Sequence, residues 1–591
     1  MKCSLFSLSI ILVAMASSEV SAISQTETGR AGSPRTSSRG TIRGRVTSND
    51  GQPLVNARIV SRAMGGTSGP VRVTSTDEKG EFQVEGLGPG LYSIGVMAPG
   101  FVDAEFPAPA RYYRPGDTAS FTMMKGGVIT GTVTNMEGEP VVAVGVRAVR
   151  VRDAEGRRLR VQRGVRTAQT DDRGIYRIYG LPPGSYIVMA GGSAIANNTL
   201  TAYAEDTPTF FPSATRDTAA EIVVLAGIGA TGIDIRYRGE KGHAVSGAVS
   251  GAVPPARGGS ISVALVNAVT GVDEASTSAT LIDNNRAFAF YGVPDGEYEV
   301  MARGYSPSEG SAVSPARRIT VKGSDVTGVE LSLVPSGSIS GRVVIEKQAD
   351  ASIKAACKSK RATLIEENLF AALCDEGLDK LRHPFSPSSL TIAPDSRGEF
   401  KAQGVDAGRY RLTAPGLGET WYVSSMTLAD ADGKGTPADV SLNGLSVKSG
   451  EKIAGLTIGI AEGAAEIEGR VVAPADLKQL PQPLSVVLVP AEAENKDKLL
   501  RYAEVAVKSD GAFRLKNIAP GRYRLIAIKG DESEMSDDLF RPVIWDARKR
   551  GAIRSEAELA NVVVELKPCQ KLADYSLRFN PPSKRTDGTK K

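Results

Sequence analysis

The chain has 591 residues, with 64 Gly, 33 Pro, 2 His and a net charge of +5. Its Gly and Pro content exceeds ordinary usage but stays below the level that marks low complexity, and 41% hydrophobic residues is enough to build cores, so a disordered tract is excluded. Two histidines, His243 and His383, leave little room for multi-His zinc sites or histidine triads, and a near-balanced charge without a basic stripe argues against nucleic acid as a partner.

In chain order, the N-terminus reads as a secretory signal. Lys2 gives the positive start, Leu5 to Ala16 the apolar stretch, and Val20-Ser21-Ala22 a small-residue cleavage site after Ala22. Residues 1–22 are therefore expected to be removed and 23–40 to form a linker. No later stretch approaches the roughly 18 continuous apolar residues of a spanning helix, so no transmembrane segment is expected in the mature chain. This predicts a secreted or periplasmic protein.

From residue 41 onward one unit repeats. An aromatic residue is followed ten positions later by Tyr in five places: Phe82–Tyr92, Tyr176–Tyr186, Phe288–Tyr298, Phe400–Tyr410 and Phe513–Tyr523. Gly lies two before each Tyr, at Gly90, Gly184, Gly296, Gly408 and Gly521. An opening G-x-V precedes each pair: Gly44/Val46, Gly131/Val133, Gly247/Val249, Gly341/Val343 and Gly469/Val471. Asp77, Asp171, Asp283 and Asp395 stand five before the first aromatic. Asp at a turn accepts bonds from its own backbone, and Gly supplies positive φ, so these are tight turns between short strands. Turn acids this sparse do not make a calcium site, which needs about 6–8 oxygens. The repeat tyrosines are expected to cap cores, ring inward and hydroxyl at the edge.

Alternating strands such as Val329, Leu331, Leu333 and Val562, Val564, Leu566 close the units. About seven short strands per unit predict an all-β chain of five tandem seven-stranded antiparallel β-sandwiches. The expected boundaries are 41–126, 127–240, 241–336, 337–463 and 464–568, with a polar tail at 569–591. Residues 351–385 interrupt the fourth unit, and their partly helical spacing predicts a short helical insertion there. Export permits disulfides, and Cys357–Cys374 is the expected local bridge, worth about 3 kcal/mol by loop entropy, with Cys569 left over.

At this point the sequence resembles a known family. Thr41-Ile-Arg-Gly-Arg-Val46, Thr76-Asp77, Gly80-Glu-Phe82, Gly86-Leu-Gly-Pro-Gly-Leu-Tyr92 and Gly100-Phe101 look like a carboxypeptidase regulatory-like domain. The resemblance implies a prealbumin-like (transthyretin-like) sandwich, grouped with starch-binding-like folds, and a non-catalytic accessory or scaffold module.

No catalytic motif is visible: the chain lacks G-x-S-x-G, H-E-x-x-H and the phosphate-cradling P-loop pattern. No catalytic residue, metal site or cofactor is therefore expected. The leading reading is an exported scaffold that binds or spaces at the cell envelope, with an envelope protein as partner. The alternative is a carbohydrate-binding protein whose exposed aromatics stack on extracellular sugar rings: Trp421, Tyr422, Trp545, Tyr112, Tyr113, Phe210 and Phe211 are the candidates. A third reading is a hydrolase with its site in the 351–385 insertion.

Overall fold

The computed structural model describes residues 40–64, 71–104, 111–154, 156–159, 165–192, 202–252, 259–269, 271, 273–282, 285–306, 310–346, 357, 364–374, 389–430, 435–475, 477, 479–508, 510–530, 535–536, 539–540 and 543–580. The expected signal and linker, His383, Asp283 and most of 351–385 lie outside them. Among the described residues no helix is long and apolar enough to cross a membrane.

The repeat builds the same local structure each time. Asp77 Oδ1 accepts the amides of Lys79 (2.9 Å) and Glu81 (2.8 Å), turning the chain into the strand Glu81–Leu87. Asp171 does the same with Arg173 (3.0 Å) and Ile175 (2.8 Å), and Asp395 with Arg397 (2.8 Å) and Glu399 (2.9 Å). The Ile175 amide holds the Asp171 carboxyl below its ordinary range. In each of these Asx turns one carboxylate oxygen accepts two backbone amides, and among the described residues no group of three or more His, Cys, Asp and Glu is placed to hold a metal.

The opening glycines have a steric cause. At Gly44, Gly131, Gly247, Gly341 and Gly469 a Cβ would fall 2.2, 2.0, 1.9, 1.9 and 2.1 Å from the carbonyl oxygens of Ala119, Ile233, Val329, Leu456 and Tyr575. Those carbonyls belong to the closing segment of each unit, which runs parallel to the opening strand in all five. Each sandwich is thus antiparallel apart from the parallel pairing of its opening strand with the closing segment, and the opening Gly is where that segment presses closest. In the first unit the two sheets run Glu81–Leu87, Gly40–Ser48, Thr118–Lys125, Phe101–Asp103 and Arg72–Ser75, Arg58–Met64, Leu91–Met97, Tyr112–Tyr113.

Five separate hydrophobic cores follow one another along the chain, centred on Ile42/Phe82/Phe121, Ile129/Tyr176/Tyr186, Val245/Phe290/Val300, Ile339/Phe370/Ile458 and Ile467/Leu488/Tyr523. Each repeat tyrosine buries its ring and donates its hydroxyl to the carbonyl four residues earlier: Tyr92 to Gly88 (3.1 Å), Tyr186 to Pro182 (2.7 Å), Tyr298 to Pro294 (3.0 Å), Tyr410 to Asp406 (2.9 Å) and Tyr523 to Ala519 (2.6 Å). Burial pushes all five phenols up.

Two expectations are corrected here. Of the segment expected to be helical, the described residues 364–374 form a 3-10 turn, Ile365–Glu367, followed by the strand Leu369–Cys374; the rest of 351–385, Cys357 apart, lies outside the described residues. The strand's residues alternate too little to show a strand in sequence because the sheet covers them: Leu369, Phe370, Ala371 and Ala372 are all buried. The real helix of the C-terminal region, Ala547–Ala560, lies in the fifth unit. The expected polar tail from 569 contains the strand Lys571–Arg578, which closes the fifth sandwich by pairing parallel to Ala465–Val472.

The disulfide expectation is corrected too. Cys357 pairs with Cys569, across 212 residues and with Cα atoms 5.2 Å apart. Cys374 stands in the strand Leu369–Cys374, opposite Tyr410, and takes no part in the bridge. Cys569 sits in the turn between the strands Val563–Leu566 and Lys571–Arg578, where its amide bonds Gly463 O (3.0 Å) beside the fourth sandwich.

Candidate functional site: the joints between sandwiches

The residues singled out as ligand contacts were sought on open surface. The structure places them in cores and at joints. Trp545 and Phe210 are only 8% and 4% exposed, so neither is a stacking platform; both would have to leave a packed site to meet a sugar. Trp545 lies in a satellite core with Ile526, Ile553 and Ala557, and the Arg411 guanidinium of the fourth sandwich sits 5.6 Å from its ring. Phe210 lies under Arg216, 5.9 Å away. Phe211 packs on the second core, Tyr113 on the Phe121 ring at 5.9 Å, and Trp421 on the fourth core. Tyr422 is half-buried in the strand Trp421–Leu428. Tyr112 abuts the backbone of Gly416 in the fourth sandwich, its Cδ2 3.5 Å from where a Cβ would stand.

What these residues help to build is a series of contacts between successive sandwiches. Between the first and second, Gly180 faces Gly100, and a Cβ at Gly126 would fall 2.6 Å from the Gly180 Cα. Between the second and third, Arg216 pairs with Glu274 at 2.8 Å, with both side chains largely buried. Burial pushes the Glu274 and Asp273 carboxyls up and the Arg147 guanidinium down, while the opposite charges across the joint oppose those shifts. Between the third and fourth, Arg303 Nη2 reaches both oxygens of Asp406 (2.8 and 3.0 Å), and the Ser336 hydroxyl adds a third bond at 3.1 Å.

The fourth and fifth are joined most heavily. The Asn517 amide donates to Gly418 O (2.8 Å) and Trp421 O (2.7 Å). Arg411 covers Trp545, Leu373 and Leu442 pack on the satellite core, and Cys357–Cys569 crosses the same boundary. The first sandwich also touches the fourth: Arg114 Nε stands 4.0 Å from the fully buried Glu367 carboxylate, and Leu91 meets Gly416. That contact brings together units three apart in sequence.

His243 lies at the head of the third sandwich, its Nε2 3.2 Å from Asp295 and its Nδ1 3.8 Å from Asp325. Asp325 also accepts the Ala244 amide at 2.8 Å, which fits a loop-fixing role. Sequence reasoning missed the joint residues Arg216, Glu274, Arg303 and Asp406, whose charges carry no pattern until the fold pairs them. It also missed the exposed tyrosines Tyr179 and Tyr291, 55% and 41% exposed, each three residues after its unit's first aromatic.

The fold therefore defines a tandem β-sandwich protein. Residues 41–120 match the carboxypeptidase regulatory-like domain, which meets the resemblance drawn from the sequence for the first sandwich. No curated protein matches the chain. Among solved structures it is similar to the minor pilin GBS52 of Streptococcus agalactiae (13% identity, 34% of this chain and 96% of that one, TM-score 0.19). It is also similar to the TIE protein of Bacillus anthracis (10%, 77% and 75%, 0.15) and to the shaft pilin SpaA of Lactobacillus rhamnosus GG (10%, 34% and 98%, 0.16). At these TM-scores the likeness carries no argument about function.

Proposed function

We propose that the chain is an exported, non-catalytic scaffold of the cell envelope, secreted or periplasmic, that holds or spaces a partner protein. Its modules would be 41–126, 127–240, 241–336, 337–463 and a fifth running from 464 through Lys571–Arg578. The observation that carries this reading is where the polar and aromatic residues go. Arg216, Arg303, Arg411, Asn517 and Trp545 all act across boundaries between sandwiches. A chain whose distinctive side chains fix modules against one another is built to present surfaces at set positions. The disulfide supports an oxidising compartment.

The test is cell fractionation of the natural host with mass measurement of the mature N-terminus, followed by cross-linking in place. Recovery in the cytoplasm with residues 1–22 attached would overturn the reading. Carbohydrate binding is kept as a second reading on one observation: Tyr179 and Tyr291 stand exposed at matching positions of the second and third sandwiches. Retention on a glycan array that is lost in Tyr179→Ala and Tyr291→Ala would favour it; no retention on any glycan would remove it.

A further inference from the structure

Each sandwich has a β-bulge in the strand that carries the first aromatic. The bulge residue takes a left-handed conformation: Gly86 (φ 72°), Gly180 (68°), Gly292 (66°), Gly404 (71°) and Asn517 (57°). The register between that strand and the opening strand slips at this point in all five units. Four of these residues face the sandwich before them. Gly180 meets Gly100, Gly292 meets Ala204 and Asp206, Gly404 meets Ser311, and Asn517 meets Gly418 and Trp421. The same corner of the module is used at every successive joint.

What differs is what the corner offers. At Gly292 the carbonyl of Asp206 would lie 2.4 Å from a Cβ, so only Gly fits. At Gly180 and Gly404 the nearest atoms are 4.0 and 3.5 Å away, so a side chain has room. Asn is the side-chain-bearing residue that tolerates the left-handed region best, and its amide carries two donors. At Asn517 the side-chain amide donates across the boundary to two main-chain carbonyls, Gly418 O and Trp421 O.

We propose that the bulge residue sets the stiffness of each joint: Asn517 locks the fourth sandwich to the fifth, whereas Gly180 and Gly404 leave their joints free of such a lock. At Gly292 and Asn517 what this corner meets is main-chain carbonyl oxygens of the preceding sandwich.

The test uses the full chain with Cys357 and Cys569 replaced by Ser, so that the bridge does not mask the lock. Amide hydrogen exchange and spin-label distances across the fourth–fifth boundary are the readouts. Asn517→Asp keeps the left-handed backbone and removes the donors; Asn517→Gly keeps the backbone and removes the side chain. Both are expected to speed exchange at the boundary about tenfold, the loss of roughly two ordinary hydrogen bonds, and to broaden the distance distribution. Gly404→Asn is expected to narrow the distribution across the third–fourth boundary. Unchanged exchange and distance widths in Asn517→Asp would overturn the proposal, as would a broader third–fourth distribution in Gly404→Asn. Asn517→Asp is nearly isosteric, so it reports even where Asn517→Gly fails to fold.

Discussion

The first–second joint and the fourth–fifth joint connect similar sandwiches by opposite means. The first relies on the close approach of three glycines, Gly100, Gly126 and Gly180. The second has a disulfide, two amide bonds from Asn517, an arginine over a tryptophan and a helix packed between. The opening Gly, the first aromatic and the Tyr recur in all the units that meet at these joints, so those residues specify the sandwich and say nothing of the joint. Joint strength is added by residues that differ from unit to unit.

The comparison can be broken most sharply by removing the bridge. Cys357→Ser with Cys569→Ser is expected to destabilise the fourth–fifth pair by about 4–5 kcal/mol on loop-entropy grounds, while the unfolding transition of the first sandwich stays put. Site-resolved hydrogen exchange in denaturant checks this; equal shifts in both regions would erase the distinction. Next in size is Arg216→Ala at the second–third joint. It strands the buried Glu274 carboxylate and is expected to cost about 3 kcal/mol, read as separation of those two sandwiches in scattering or distance measurements. At the first–second joint, Gly180→Ala forces a Cβ into left-handed φ and is expected to cost only about 1 kcal/mol, measured as a small shift in thermal unfolding.

A pH scan tests what the units share. The folded state holds the five repeat phenols neutral by burial, above their ordinary range. Their contribution is therefore full below about pH 10 and is lost as pH rises through the higher folded values. All five sandwiches should weaken together in strong alkali, and a transition confined to one of them would count against a shared tyrosine cap.

Much of the sandwich was legible in the sequence because sterics force it. The opening Gly marks where a parallel neighbour presses in, the turn Asp marks its own two backbone bonds, and the Tyr marks a carbonyl four residues back. The misses have equally physical causes. The helix Ala547–Ala560 buries only Ile553 and Ala557, so it shows no apolar stripe; its signals were Asp546 at the start and the left-handed Asn561 at the end. The last strand hid because Asp574, at φ 54°, breaks the alternation of Leu572, Tyr575 and Leu577. The candidate aromatics were misplaced because composition cannot separate an exposed ring from one roofed by a neighbouring domain, as Trp545 is by Arg411. Asn517 alone was readable: it stands where four other units have Gly.

The disulfide also has a mechanical meaning. A pull on the two ends of the chain would travel through the early sandwiches to Cys357, cross the bridge and leave at Cys569. The chain enclosed between them, a separation of 212 residues, would bear none of it until the bridge opens. Fully extended they would add about 700 Å of length, so the bridge stores that slack out of reach of tension until it is reduced. Outside the bridge, the opening strand of the fourth sandwich, Gly337–Ile345, and the closing strand of the fifth, Lys571–Arg578, would carry the tension together with the first three sandwiches.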